Sequence, residues 1–124
     1  MNRDSSRENA LTPLDPSSFA ADPLTQFQEW FALAAASGLA EPEAMALATS
    51  TPDGHPSVRM VLLKGADERG FRFFTHYDGR KAKELAANPR AALVFYWGAL
   101  GRQVRVEGQT AAIPKNEPDE YCVS

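Results

Sequence analysis

A strand-like segment with a cation at each end is the first feature of this chain that could do chemistry. Arg59 and Lys64 enclose the apolar run Met60-Val61-Leu62-Leu63, and Arg80-Lys81 follow Thr75 at the predicted start of a helix. Cations are unfavourable in a first helical turn, because the helix N-terminus already carries partial positive charge. A bound phosphate reverses that balance, since free backbone N–H groups and the helix dipole both favour anions. The pattern therefore indicates a site for a phosphorylated small molecule.

The spacing of these cations predicts where they point. Arg59 and Lys64 are an odd number of positions apart, so they face opposite sides of a strand unless a bulge intervenes. Arg59 lies among apolar residues, where a charge needs a partner. Gln103 and Arg105 lie on a later predicted strand whose polar and apolar residues alternate. A solvated outer face explains the alternation of this strand as well as a ligand pocket does. For all of these cations, exposure to solvent without any bound ligand is the alternative to a phosphate site.

Bulk properties narrow the class of protein. The 124 residues suffice for one domain, and the net charge of −3 argues against broad binding to nucleic acid or to anionic membranes. The single cysteine, Cys122, excludes an intrachain disulfide and fits a reducing, cytoplasmic setting. No apolar run approaches the length of a membrane-spanning helix, and the N-terminal segment is polar.

The order of the elements predicts a mainly β fold. Residues 1–21 are polar and contain proline, which is typical of a flexible arm, and residues 22–124 form the predicted domain. A helix should begin at Asp22-Pro23 and end at Gly38. Short turns then separate antiparallel strands, so a small antiparallel barrel with flanking helices is expected. The predicted strands are 44–50, 57–64, 71–75, 91–96 and 102–113; helices are predicted at 79–88, capped by Asp78, and from Pro114 onward.

Several standard catalytic patterns are missing from the sequence. It contains no GxGxxG, no Walker phosphate loop and no GxSxG nucleophile elbow. His55 and His76 stand alone in turn or loop contexts, so we expect solvated histidines and no metal site. The acidic pairs Asp67-Glu68 and Asp119-Glu120 lie in a predicted turn and at a predicted helix start, where capping accounts for acidic residues without a catalytic role. No side chain is identified as a catalytic acid or base.

With these residues in view, the chain resembles the pyridoxamine 5′-phosphate oxidase family of proteins that bind flavin mononucleotide (FMN). The resemblance runs from Asp22 to the end of the chain. The segments that carry it, in family order and spacing, are 41–49 (EPEAMALAT), 59–64 (RMVLLK), 70–75 (GFRFFT), 79–81 (GRK), 88–93 (NPRAAL) and 102–108 (RQVRVEG). It implies an antiparallel split β-barrel of Greek-key type with flanking α-helices.

The resemblance also implies roles for individual residues. Arg59, Arg80 and Lys81 would hold the FMN phosphate. The segment from Met60 through Val61, Leu62 and Leu63 to Lys64 would lie along the flavin. Phe74 and Thr75 would contact FMN, and Gln103 would reach it from the second subunit of a homodimer with FMN at the interface. Lys64 would also bind the substrate phosphate, and Tyr121 would line the substrate site.

The implied reaction is oxidation of pyridoxamine or pyridoxine 5′-phosphate to pyridoxal 5′-phosphate, a step of vitamin B6 metabolism. A hydride equivalent passes from the substrate to the flavin, and O2 reoxidises the flavin to give hydrogen peroxide. The preference between the two vitamers is left open by the sequence. Two alternatives also stay open: an FMN-dependent oxidoreductase of another substrate, such as a phenazine precursor or a deazaflavin partner, and a non-catalytic flavin-binding or dimerisation module.

The chain departs from the family pattern after Tyr121. An Arg-Pro-Arg-containing segment, further strands and a late Trp and Arg-x-His stretch do not occur before Ser124. The family domain is therefore expected to be truncated at its C-terminus, with the FMN-phosphate half of the site retained. From this we expect exposed sheet edges, exposed apolar surface, poor solubility and weak FMN affinity.

Overall fold

The computed structural model describes residues 16–74, 79–113 and 120–124, and the side chains of 17–74, 83–113 and 120–124. Within these ranges the helices are α1 (Pro23–Ala36) and α2 (Gly79–Ala87). The strands are β1 (Ala44–Ser50), β2 (Pro56–Asp67), β3 (Gly70–Phe74), β4 (Arg90–Trp97), β5 (Arg102–Ala112) and β6 (Glu120–Val123). Single 3-10 turns lie at Pro16–Ser18 and Gly98–Leu100. Neither α-helix is long and apolar enough to cross a membrane.

The strands close into a barrel in the order β1-β2-β3-β6-β5-β4. The β1–β2, β1–β4, β2–β3, β3–β6 and β5–β6 pairs are all antiparallel. Side chains alternate between the two faces of β1, where Met45, Leu47 and Thr49 are buried and the alanines between them are partly exposed. The mainly β, antiparallel barrel with flanking helices that the sequence predicts is therefore confirmed.

The chain divides into two compact units. The first comprises Met1–Pro42 and Tyr96–Val104. Its helix α1 begins as predicted, because Asp22 accepts a hydrogen bond from the Thr25 amide at 3.2 Å and Pro23 occupies the first helical position. The aromatic face of α1 packs on Trp97, whose ring lies 5.9 Å from that of Phe27. This aromatic row forms core, as its helical spacing predicts.

The second unit comprises Glu43–Phe95 and Arg105–Ser124 and contains the cations of β2. Its buried apolar side chains come from successive strands, and include Met45, Leu47, Val61, Phe73, Leu93, Phe95 and Val123. Helix α2 turns Glu84 and Leu85 inward, since both are 4% exposed. A buried carboxylate needs hydrogen-bond partners. The Glu84 carboxylate has such partners on β1 and β2, Thr49 and Ser57.

Two expectations from the sequence are wrong in this part of the chain. Residues 114–119 lie outside the described residues, but Glu120–Val123 form strand β6 and not the predicted helix. This strand pairs with β3 through Phe74↔Glu120 and with β5 through Thr110↔Val123, so tertiary pairing overrides the local helix-start pattern. Because β6 joins β3 to β5, the described strands form a closed barrel, and the exposed sheet edges expected from the sequence do not occur among them.

The predicted N-terminal arm is described only in its last residues. Residues 1–15 lie outside the described range. Beyond them, Pro16–Ser18 form a 3-10 turn, and the Phe19 ring meets the Trp30 ring edge-on at 5.8 Å. The segment just before α1 therefore already packs against this helix, through Phe19 and Trp30.

Candidate functional site

Strand β2 directs Arg59 toward the buried side of the sheet. Arg59 pairs with Leu47 across the β1–β2 ladder, and Leu47 is fully buried. The Arg59 Nη1 group donates to the Leu47 carbonyl at 3.2 Å and to Thr49 Oγ1 at 2.8 Å. Both acceptors are neutral. Among the described residues no carboxylate pairs with Arg59, so the positive charge of this half-buried guanidinium is not neutralised by them.

Glu84 of α2 joins the same polar cluster from the other side. Its carboxylate accepts from Thr49 Oγ1 at 3.3 Å and from Ser57 Oγ at 3.3 Å. Thr49 thus lies between the Arg59 guanidinium and the Glu84 carboxylate. This chain of hydrogen bonds anchors α2 against β1 and β2, next to the cation of β2. We refer to Arg59, Thr49, Glu84 and Ser57 as the Arg59 cluster.

The first turn of α2 contains the other predicted phosphate ligands. Arg80 and Lys81 follow Gly79, the first residue of the helix, but their side chains lie outside the described residues. Thr75 and the predicted cap Asp78 also lie outside them. Glu84 is about one helical turn beyond Arg80. The Arg59 cluster therefore holds the middle of α2 against β1 and β2 through Glu84.

Lys64 lies on the opposite face of β2. The β2–β3 register shifts between Leu63 and Gly65, so Lys64 is the extra residue of a bulge. Its ammonium lies 4.2 Å from the centre of the Phe74 ring and 2.8 Å from Glu120 Oε1 on β6. Leu62 and Phe74, which pair across the ladder, are exposed on this outer face. The alternation of β2 continues through Lys64, so Lys64 faces away from Arg59 as the spacing predicts.

Tyr121, the other predicted substrate contact, does not join Lys64. It pairs with Phe73, which is fully buried, and the two rings stack at 6.0 Å with an interplanar angle of 20°. Successive residues of a strand face opposite sides, so Glu120 and Tyr121 point to different faces of β6. Glu120, and not Tyr121, meets Lys64 in this structure. Gln103 is exposed on β5 within the first unit.

The outer face of β2 is apolar and exposed from Val58 to Leu62. Val58 is 68% exposed, Met60 65% and Leu62 52%. Their partners across the β1 ladder are Ala48, Ala46 and Ala44. Monomeric proteins seldom leave a contiguous apolar row of this kind uncovered. A flat apolar ligand, a second protein surface or both would fit it.

Four polar residues of the site, Thr49, Ser57, Glu84 and Glu120, are not predicted from the sequence. Thr49 had a usable signal, since it continues the buried alternation of Met45 and Leu47 and a buried hydroxyl needs a partner. Glu84 and Glu120 had no local sequence signal, because their roles depend on Thr49 and Lys64, which are distant in sequence. The sequence predicts a helix start at Glu120, but the structure has strand β6 there.

The turn between β2 and β3 holds a separate charged group. Arg69 Nη2 lies 2.9 Å from Asp67 Oδ2, and Arg72 Nη2 lies 3.4 Å from the same oxygen. The hydrogen bond from the Arg69 side chain lowers the pKa of Asp67 below its ordinary value. Nearby, burial raises the pKa of the Cys122 thiol. The predicted loop histidine His55 is exposed and lies 3.1 Å from Asp53. These groups stabilise turns and do not converge on either cation of β2.

The closed antiparallel barrel is the fold of split-barrel proteins, and comparison with known proteins gives the family. The family model described as pyridoxamine 5′-phosphate oxidase matches residues 32–124. The chain therefore belongs to the pyridoxamine 5′-phosphate oxidase family. Membership of this family supports FMN as the cofactor.

The chain is similar to curated proteins over about half of their length. It is 61% identical over 100 residues to a pyridoxine/pyridoxamine 5′-phosphate oxidase of Rubrobacter xylanophilus, covering 81% of this chain and 46% of that protein. It is 54% identical over 115 residues to the Cupriavidus taiwanensis protein of the same name, covering 93% of this chain and 54% of that one. The chain thus spans about half the length of the curated relatives that it matches.

Solved structures share the fold. The crystal structure of PhzG from Burkholderia lata in complex with tetrahydrophenazine-1-carboxylic acid matches with a TM-score of 0.78 and 33% identity, over 86% of this chain and 54% of that one. A pyridoxamine 5′-phosphate oxidase-related, FMN-binding protein from Nostoc punctiforme matches with a TM-score of 0.65 and 24% identity, over 80% of this chain and 52% of that one. The second match supports the fold alone.

Proposed function

We propose that this chain binds FMN, with the FMN phosphate held by Arg59 and by Arg80 and Lys81 in the first turn of α2. The observation that carries the proposal concerns Arg59, which is half-buried and, among the described residues, donates only to the Leu47 carbonyl and the Thr49 hydroxyl. A guanidinium that has neutral partners alone gains most from an added anion, because charge-assisted hydrogen bonds are the stronger ones. Thr75 would add a hydroxyl to the same phosphate.

The rest of the cofactor would lie along β2. Its backbone from Met60 to Lys64 is flanked by exposed apolar side chains, which suit a flat aromatic ring better than water. Phe74, which is 39% exposed, would contribute a ring at the end of this row. A second copy of the chain would cover the remaining apolar surface, and its Gln103 would reach the cofactor. The proposed assembly is thus a homodimer with FMN at the interface.

The proposed reaction is oxidation of pyridoxamine or pyridoxine 5′-phosphate to pyridoxal 5′-phosphate, with O2 as acceptor, in the cytoplasm. Bound FMN supplies the two-electron redox chemistry. The residues of this chain supply binding and orientation: Lys64 would hold the substrate phosphate, and Tyr121 would line the site after leaving its stack on Phe73. Because the chain spans about half of its relatives, this activity is proposed for the whole protein, and no side chain is assigned as a general base.

Titration of the purified chain with FMN, followed by flavin fluorescence, tests the phosphate site. We expect saturable binding that Arg59→Ala and Lys81→Ala each weaken by about 10- to 100-fold, the range for loss of a charge-assisted hydrogen bond. Arg105→Ala is the matched control. Arg105 is also on a strand of the second unit, but it is exposed and pairs with Glu107 at 2.9 Å, so its loss should leave FMN affinity unchanged.

Riboflavin, which lacks the phosphate, separates a phosphate site from a general flavin site. Its affinity should be the same for the wild-type chain and for Arg59→Ala. The proposal fails if Arg59→Ala binds FMN as tightly as the wild type does, or if it weakens FMN and riboflavin equally. Circular dichroism of each variant shows whether the barrel is intact.

An FMN-dependent oxidoreductase of another substrate is the second candidate, and the 33% identity to PhzG favours it specifically. Hydrogen peroxide release with pyridoxine 5′-phosphate, in a chain extended to the length of its relatives, would support the vitamin B6 substrate. Turnover of a tricyclic carboxylic acid in its place would support the second candidate. FMN binding with neither activity would leave a non-catalytic flavin-binding module.

A further inference from the structure

The ammonium of Lys64 is already paired with an anion from the same chain. Its Nζ atom lies 2.8 Å from Glu120 Oε1. The Glu120 side chain is 0% exposed, whereas that of Lys64 is 39% exposed. Ligands can therefore approach the lysine from solvent, but the carboxylate beneath it is enclosed by protein.

Glu120 depends on Lys64 alone for its neutralisation among the described residues. Its second oxygen, Oε2, is buried and has no hydrogen-bond partner there. A buried carboxylate with one unpaired oxygen holds its single cation strongly, because losing that cation would leave the charge uncompensated. The pairing on β6 fixes Glu120 in this position, since it lies directly opposite Phe74, over whose ring Lys64 passes.

We propose that Glu120 is an internal counter-ion that occupies the anion subsite of Lys64 and sets which ligands this lysine accepts. A phosphate monoester that reaches Lys64 carries up to two negative charges next to the buried carboxylate, so ligand and Glu120 compete for one ammonium. Glu120 thereby lowers the affinity for phosphorylated ligands and favours release of the product. This role is that of a positioning residue, and it rests on the proposed use of Lys64 for a substrate phosphate.

Isothermal titration of the FMN-free chain with pyridoxine 5′-phosphate and with inorganic phosphate tests the competition. Glu120→Gln keeps the shape of the side chain and removes its charge. We expect both ligands to bind this variant about tenfold more tightly than the wild type, because a like charge a few ångströms from a half-exposed site shifts an equilibrium by about that factor. Glu107→Gln is the matched control, since Glu107 is exposed and pairs with Arg105 at 2.9 Å, and it should bind as the wild type does.

Unchanged or weaker binding of both ligands by Glu120→Gln would overturn the inference, and so would an absence of binding by every variant. None of these titrations contains FMN, so the flavin titrations decide the FMN-binding part of the proposed function independently. A chain that binds FMN through Arg59 but shows no Glu120 effect would keep the proposed cofactor site and lose this inference alone.

Chemical labelling tests the pair without any ligand and without a substitution. Acetylation of lysines in the wild-type chain is followed over time by peptide mass spectrometry. Lys83, an exposed lysine on α2, is the internal control. We expect Lys64 to react at least about fivefold more slowly than Lys83, because its ammonium is held by a buried carboxylate. Equal rates would mean that Lys64 is free in solution and would overturn the inference even if Glu120→Gln failed to fold.

Discussion

Replacement of Lys64 by methionine should destabilise the barrel strongly, although Lys64 is a partly exposed residue. Methionine keeps the apolar stem of the side chain and removes the ammonium that neutralises Glu120. Breaking a buried ion pair by removing one partner costs about 3–5 kcal/mol. Because Lys64 is 39% exposed, water can reach part of the gap, so the lower end of that range applies. Loss of the contact with the Phe74 ring adds about 0.5 kcal/mol.

The expected total is therefore about 3.5 kcal/mol in the free energy of unfolding. For a chain of this size each kcal/mol lowers the melting temperature by roughly 4 °C, so Lys64→Met should melt about 14 °C below the wild type. Urea unfolding followed by tryptophan fluorescence gives the free energy directly. Adding Glu120→Gln to Lys64→Met should recover most of the loss, because the buried charge is then gone.

The exposed pair Arg105–Glu107 supplies a matched double-mutant cycle. The two pairs have nearly the same separation, 2.8 Å for Lys64–Glu120 and 2.9 Å for Arg105–Glu107. They differ in burial, since Arg105 and Glu107 are 69% and 67% exposed. The cycle of Arg105→Met with Glu107→Gln should therefore give a coupling energy below about 0.5 kcal/mol. If the Lys64–Glu120 cycle gives no larger coupling, the reasoning from burial is refuted.

Two further outcomes are expected at the β2–β3 turn. Gly70→Ala should lower the free energy of unfolding by more than about 2 kcal/mol, because Gly70 has a φ of +125° and an added Cβ would clash with the Val123 carbonyl oxygen. Gly54→Ala is the control, since Gly54 has a φ of +94° but no atom within 4 Å of an added Cβ. In the same urea assay it should lower the free energy of unfolding by only about 1 kcal/mol. Asp67→Asn should be less stable than the wild type above about pH 4, and the difference should vanish as the pH falls further, because Arg69 holds the pKa of folded Asp67 below its ordinary value of 3.8. A difference between the two chains that persists unchanged in acid would contradict the assigned cause.

The sequence predicts those elements whose signals are local. Helix α1 begins at Asp22-Pro23 because the cap and the proline act within one turn, and the structure has the helix there. The alternation and turn residues of β1 to β5 are local in the same sense, so these strands were placed to within a few residues. Arg59 and Lys64 were singled out by charge and spacing within one strand.

Strand β6 could not be predicted in this way. Glu120–Val123 is short and follows acidic residues that favour a helix start. Its conformation depends on partners distant in sequence, β3 and β5, and on the space that Gly70 and Gly108 leave beside it. The counter-ion of Lys64 was missed for the same reason, since no local pattern connects positions 64 and 120.

The two cations of β2 are prepared for different kinds of anion. Arg59 is held by neutral acceptors on β1, with no acidic partner among the described residues, so an anion bound there displaces nothing. Lys64 has a buried carboxylate as partner, so a ligand phosphate has to compete for it. A resident cofactor needs tight binding, and an exchangeable substrate needs release. We therefore propose that FMN binds at Arg59, where no carboxylate among the described residues competes with its phosphate. The substrate phosphate binds at Lys64, where competition with Glu120 favours release.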